Sequence, residues 1–239
     1  MAVVEVEGVT RVYDEKGSTP TKALQGVSLK VEKGEFMALA GPSGSGKTTL
    51  LNIIGGLDKP TAGSVRVDGQ ELTTLARGAL ADLRRDRIGF VFQAYNLVPV
   101  LTAGENAEYV MELKGVDAKH RHARIEELFK RMGLDGFMNT RPLKMSGGQQ
   151  QRVAVARAIA SEPAVVLADE PTANLDQKTG AALMDLMHEL NHERGITFVF
   201  STHDPMVLER ADRIVHLVDG KVVSDEKKPR PEHIAAPKG

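Results

Sequence analysis

The pattern of apolar and polar positions predicts short strands at the start of the chain, helices through its middle, and buried strands alternating with helices thereafter. Residues 2–7 alternate apolar and charged, as a strand with one buried face requires. Residues 27–32 alternate again, and 63–69 form a third such strand closed by Asp68-Gly69, a tight-turn signal. Residues 36–40, by contrast, are apolar throughout, the mark of a strand buried on both faces. Residues 49–54 then read as the first turns of a helix. The polar stretch from Asp14 to Lys22, with its Gly and Pro, reads as a loop.

Further along, 72–85 suits a short helix and 88–92 a buried strand that ends in Gln93. From Thr102 to Ser161 the pattern is helical: Ile125, Leu128, Phe129 and Met132 recur on one helix face, and Gly133 is placed to stop it. A second helix is predicted over 148–160, closed by Glu162-Pro163. Residues 164–168 form another wholly apolar strand, running straight into Asp169-Glu170. A helix over 178–194 stopped by Gly195 comes next. It leads to a strand over 196–200, which ends at Ser201-Thr202-His203-Asp204. A short helix over 207–211 and a hairpin of 214–217 with 222–223 around Asp219-Gly220 complete the pattern. The expected fold class is α/β: a mostly parallel sheet, an N-terminal antiparallel β-subdomain, and a helical subdomain inserted over about 94–160. One domain is expected over 1–225, followed by a flexible tail over 226–239.

Composition narrows the function without naming it. The 239 residues suffice for one large domain with a subdomain. A net charge of −1 gives no argument for a nucleic-acid partner, and aromatics at 4% with no Trp argue against an extended stacking surface for a nucleic acid. No apolar run approaches the roughly 18 residues that span a membrane. The N-terminus lacks a basic-then-apolar secretory pattern. Absence of cysteine excludes disulfides and thiolate-bound metal. These features predict a soluble, cytoplasmic protein.

Between the strand at 36–40 and the helix at 49–54 lies Gly41-Pro42-Ser43-Gly44-Ser45-Gly46-Lys47-Thr48, which fits the phosphate-binding pattern G-x-x-x-x-G-K-[ST]. Glycines let successive backbone N–H groups converge on phosphate oxygens, and the helix N-terminus, including Thr49, adds unpaired donors and a positive dipole end. Lys47 is placed for the β/γ-phosphates and Thr48 for Mg²⁺. The strand ending in Asp169-Glu170 supplies the carboxylates a phosphoryl-transfer site needs. Asp169 is the candidate Mg²⁺ holder, and Glu170 the group that directs an attacking water.

Met145-Ser146-Gly147-Gly148-Gln149 resembles the L-S-G-G-Q signature of ABC ATPases, and it precedes the acidic strand at the spacing they use. The likeness covers about residues 2–223. It implies that Gln93 is the Q-loop residue, contributing to catalysis and to Mg²⁺. Asn174-Leu175-Asp176 would be the D-loop, His203 the γ-phosphate contact beside Glu170, and Tyr13 the aromatic that stacks on adenine. It also implies ATP with Mg²⁺, and a head-to-tail dimer of two copies in which each ATP lies between one P-loop and the partner's signature. Met145 stands where the family usually has Leu, an apolar exchange of similar volume.

Residues 55–61, 87–93 and 96–106 resemble the lipoprotein-release and macrolide-export subfamily. That implies an integral-membrane permease partner, a place at the cytoplasmic face of the inner membrane, and docking of the permease after Gln93. An importer ATPase, for example for amino acids, shares every catalytic motif. A soluble non-transport ABC ATPase would normally carry two cassettes or a long coiled coil, and a nucleotide kinase would have no use for the signature.

His188-Glu189-Leu190-Asn191-His192 matches H-E-x-x-H, the helical zinc-protease motif. Its helix turns Leu183, Leu186, Met187 and Leu190 to the core. With no third ligand evident in the sequence, the two histidines are expected on a solvated face.

Overall fold

The alternating N-terminal segments pair with one another, and the wholly apolar ones assemble into a second sheet. The computed structural model describes residues 2–14 and 19–228. Its elements in chain order are β1 (Ala2–Tyr13), β2 (Thr21–Glu32), β3 (Phe36–Ala40), α1 (Lys47–Ile54), β4 (Ala62–Val67) and β5 (Gln70–Glu71). Then come α2 (Arg77–Arg87), β6 (Ile88–Val91), α3 (Ala103–Leu113), α4 (Ala118–Arg131), α5 (Gly147–Ala160) and β7 (Val165–Asp169). The chain continues with α6 (Gln177–Arg194), β8 (Phe198–Thr202), α7 (Pro205–Arg210), β9 (Arg213–Val218) and β10 (Lys221–Lys227). The first sheet is antiparallel, in the order β2-β1-β4-β5. The second has the order β10-β9-β3-β8-β7-β6, parallel throughout except for the edge strand β10.

Every residue of β3 is buried because both faces of its sheet are covered. Phe36, Ala38 and Ala40 join Phe198 and Phe200 in one apolar layer with α3, α4, α5 and α6. Met37 and Leu39 join Val199, Val165 and Leu167 in a second layer with α1, α2 and the antiparallel sheet. The two-residue alternation of the strands is thus satisfied on both sides at once. Ile125, Leu128 and Phe129 of α4 belong to the first of these layers. The helices inserted between β6 and β7 therefore share the core of the parallel sheet and do not build one of their own.

Several boundaries differ from the sequence pattern. The strand expected over 196–200 begins instead at Phe198, in register with Phe36. Ile196 and Thr197 close the sheet edge, where Asn191 Nδ2 donates to the Ile196 carbonyl and Gly34 N–H donates to Thr197 Oγ1. Glu226 and Lys227, expected to begin a flexible tail, pair instead with Ile214 and Arg213. β10 is an edge strand, so its polar side chains tolerate exposure and the apolar alternation is lost. Residues 229–239 of that tail, and residues 15–18 of the first loop, lie outside the described residues.

All the parallel strands end on one rim of their sheet, and in open α/β sheets that rim is where ligands sit. β3 delivers Gly41 there, β6 leads to Gln93, β7 delivers Asp169, and β8 leads to His203.

Candidate functional site

Gly41 to Thr48 connect β3 to α1 in a loop whose shape only glycine permits at two places. Gly41 has φ of 148°, and a Cβ on it would stand 2.1 Å from the Leu217 carbonyl oxygen. Gly46 has φ of 102°, and its Cβ would stand 2.5 Å from the Ala23 carbonyl oxygen. The loop is therefore pressed from outside by β2 and by the β9–β10 hairpin. Gly220 in that hairpin donates its N–H to the Ser45 carbonyl at 3.0 Å. Pro42, Ser43 and Gly44 are exposed on the open side.

Lys47 is buried at 7% exposure, and its Nζ donates back to the carbonyls of Gly41 at 2.7 Å and Pro42 at 2.9 Å. The ammonium is thus fixed at the loop's own backbone. Gly46 caps α1 without a side-chain bond, and the first turn carries no acidic residue. The N–H groups of Lys47, Thr48 and Thr49 have no intrahelical acceptor, and nothing negative in that turn opposes an incoming anion. Ser45 Oγ is buried with no hydrogen-bond partner, a polar atom in the loop that calls for a ligand.

Beside the loop, Thr48 Oγ1 donates to Asp169 Oδ1 at 3.0 Å. Ser201 Oγ donates to the same carboxylate oxygen, and the Glu170 N–H donates to both Ser201 Oγ and the Ser201 carbonyl at 3.2 Å. Glu170 has φ of 45°, a left-handed conformation that breaks strand alternation and turns its side chain away from that of Asp169. His203 Nδ1 lies 2.8 Å from Glu170 Oε1. Ser201, fully buried, thus positions both acidic residues. The sequence signal for it, a hydroxyl two residues before the histidine at a strand end, carries too little information to single it out.

The remaining predicted residues lie around this centre. Gln93 follows β6, and its carbonyl accepts from Asn174 Nδ2 at 2.8 Å. The contact is thus made by its backbone, while the side chain is exposed. Tyr13 ends β1; its hydroxyl donates to Asp58 Oδ2 at 2.8 Å, and the Arg11 guanidinium lies 4.3 Å from its ring centroid. Asp176 caps α6, accepting from the Thr179 N–H at 3.0 Å, and bonds from Thr179 hold its carboxyl below the usual range.

Ser146 caps α5 in a reciprocal box: Ser146 Oγ accepts from Gln149 N–H at 3.3 Å, and Ser146 N–H donates to Gln149 Oε1 at 2.9 Å. Gly147 and Gly148 are therefore the first helical residues, with N–H groups left for a ligand. Both also make room for neighbours. A Cβ on Gly147 would stand 2.7 Å from the Tyr95 hydroxyl, and one on Gly148 would stand 2.5 Å from Thr179 Cγ2.

Fold and site together define a P-loop nucleoside triphosphatase, in which a strand–loop–helix cradle faces two carboxylates on the neighbouring strand end. The ABC transporter family model matches residues 24–173, and the chain belongs to that family of ATP-binding ATPase cassettes. It is 47% identical to the lipoprotein-releasing system ATP-binding protein LolD 1 of Rhodopseudomonas palustris, over 92% of this chain and 98% of that one. It is 42% identical to the macrolide export ATP-binding/permease protein MacB of Mannheimia succiniciproducens, over 95% of this chain but 35% of that longer protein. The solved cassette MJ0796, from Methanocaldococcus jannaschii, is a dimer in a post-hydrolysis state bound to ADP and Pi. It superposes with a TM-score of 0.86 at 46% identity, covering 94% of this chain and 98% of that one.

Proposed function

We propose that this chain hydrolyses ATP as one half of a head-to-tail pair that drives a permease of the lipoprotein-release or macrolide-export kind. The observation that carries the reading is the division of the site. Two of the glycine-bearing helix N-termini matter here, and the one that begins at Lys47 adjoins Asp169 through Thr48. The other, at Ser146, has Tyr95 and Thr179 as neighbours, and its free N–H groups await phosphate from a second copy.

Two hard oxygen donors, Thr48 Oγ1 and Asp169 Oδ1, stand 3.0 Å apart. Adjacent ligands of octahedral Mg²⁺ at roughly 2.1 Å stand about 3.0 Å apart, so the pair fits that ion. Bound there, Mg²⁺ would neutralise phosphate charge. Lys47 adds a fixed cation worth on the order of 4 kcal/mol at about 4 Å from a phosphate oxygen, at an effective dielectric near 20. Glu170 orients the water and takes its proton as the water oxygen attacks the γ-phosphorus and the bond to the β-phosphate oxygen breaks. His203 steadies Glu170 through Oε1. Tyr13 provides the face for adenine, and Gln93 links the site to the segment that follows it.

That segment supports the permease as partner. Val98 and Val100 are exposed there, Val100 at 71%. Nearby is a cleft of about 330 Å³ lined by Leu57, Ala81, Phe90, Phe92, Val110 and Arg157. An amphipathic cytoplasmic helix of a permease suits such a surface. No helix among the described residues is long and apolar enough to cross a membrane, and a permease partner would hold the chain at the cytoplasmic face. The deciding experiment is Glu170→Gln. ATP binding is retained, turnover falls by about a hundredfold or more as expected for loss of a general base, and an ATP-bound dimer accumulates on size exclusion. Normal turnover in the variant refutes the assignment. Recovery of an export-type permease with the tagged chain supports the subfamily, and recovery of an importer permease with a solute-binding protein overturns it.

A further inference from the structure

On the sheet rim opposite the nucleotide site, the fold completes the histidine pair left without a third ligand in the sequence. His188 and His192 lie one turn apart near the C-terminal end of α6. Asp212, the residue before β9, is brought to them from 24 positions further along the chain. His188 Nε2 lies 3.2 Å from His192 Nε2 and 3.4 Å from Asp212 Oδ1, and the three ligand atoms all fall within 4.8 Å of one another. His188 is not solvated as the sequence suggested; its side chain is 28% exposed. Its ring meets Phe36 edge-on with centroids 5.0 Å apart, which fixes its orientation. Asp212 is held equally firmly, since its N–H donates to the Phe36 carbonyl at 2.9 Å and its carbonyl accepts from Lys228 N–H at 2.7 Å.

We infer that His188, His192 and Asp212 form a binding site for one divalent transition-metal ion, Zn²⁺ above all. Two ligands of a tetrahedral Zn²⁺, each at roughly 2.0–2.1 Å, stand about 3.3 Å apart. The two short separations here match that edge, and a small rotation of the exposed His192 ring closes the third. Two imidazoles and one carboxylate suit Zn²⁺ in ligand type and leave a fourth position for water. The last turn of α6 also favours a cation, because the unpaired carbonyls of a helix C-terminus carry its negative dipole end. The bound ion would tie the end of α6 to the start of β9. Its role is to brace the sheet, away from the phosphate chemistry at the other rim.

The test uses the full chain after chelator treatment, with Zn²⁺ followed by calorimetry and Co²⁺ by the visible absorption of a tetrahedral complex. The wild type is expected to bind one equivalent of either ion with a rise in Tm. His192→Ala, which alters an exposed side chain, should weaken that binding by at least about tenfold. Loss of even an outer-sphere partner typically costs 10–100-fold in metal affinity, so loss of a ligand costs no less. Asp212→Asn, nearly isosteric, should do the same. Both variants should keep the metal-free Tm and the Mg²⁺-dependent ATPase rate within about twofold, since their change of metal affinity is a local one. No binding by the wild type, or equal binding by wild type and both variants, overturns the site and leaves a hydrogen-bonded His-His-Asp relay.

Discussion

Arg157, in the last turn of α5, donates from Nη1 to the carbonyl oxygen of Asn96 at 2.6 Å. A second bond from Nη2 reaches the Tyr95 carbonyl at 2.9 Å. Tyr95 and Asn96 both have positive φ, 60° and 50°, in the segment that follows Gln93. One guanidinium thus holds a strained turn against the signature helix, and burial lowers its pKa.

Replacing that guanidinium should therefore loosen the segment on which the permease is proposed to act. Arg157→Met keeps much of the apolar stem but removes both hydrogen bonds, at a cost of about 0.5–1.5 kcal/mol each. The expected result is a lower urea midpoint and faster hydrogen exchange over residues 94–98, with ATP binding unchanged. Hydrogen exchange resolved by segment measures it directly.

Gly46→Ala should abolish nucleotide binding. The residue would need φ of 102° and would meet the Ala23 carbonyl at 2.5 Å, so either the loop or β2 must move. Backbone strain of this kind costs on the order of 1–3 kcal/mol. Calorimetric titration with ATP, beside a thermal melt, separates lost binding from lost folding.

Tyr13 has one face beneath Arg11 and its hydroxyl on Asp58. Stacking on a base is worth about 1–3 kcal/mol. Tyr13→Ala should raise the Kd for ATP by roughly 5- to 150-fold, whereas Tyr13→Phe should stay close to wild type. A comparison with inorganic triphosphate, which has no base to stack, should show no difference among the three proteins.

The hairpin at the edge of the parallel sheet carries an ionic cluster that makes stability pH-dependent. Arg213 is 9% exposed at its side chain, donates to Glu35 Oε2 at 2.8 Å, and holds both oxygens of Asp225 at 2.7 Å. These bonds hold the Asp225 carboxyl below the usual carboxylate range. The folded protein binds that proton less readily than the unfolded chain, so the stabilisation is complete above about pH 4, the unfolded pKa. It is lost as pH falls through the lower native value. Asp225→Asn should flatten that part of the acid-denaturation profile. Arg213→Met should cost about 1–3 kcal/mol at neutral pH by removing these charged hydrogen bonds, since Asp225 is exposed and Glu35 keeps Lys227.

Much of this architecture was legible because its signals are local. The phosphate loop needs glycine at fixed places, and Asp68-Gly69 and Asp219-Gly220 turn with positive φ at both residues, as tight hairpins demand. The apolar runs of β3 and β7 announced strands covered on both faces. What escaped depends on partners distant in sequence. Ser201 matters because Asp169 and Glu170 arrive beside it from β7. Asp212 completes a cluster only once β9 lies beside α6. β10 extends beyond its apolar residues because Arg213 and Ile214 are there to pair with it, and polar edge residues give no periodic sign of that.

The hairpin also has a bearing on when the protein becomes competent. Gly220 grips the Ser45 carbonyl, and β3, which delivers the phosphate loop, takes its two neighbours from β8 and β9. During synthesis β2 and the loop emerge early, but β8, β9 and the hairpin that back the loop emerge far later. A chain still on the ribosome, or one cut short before residue 220, carries the entire glycine motif without the backing that gives it form. The form of the phosphate loop thus depends on strands made long after the motif itself.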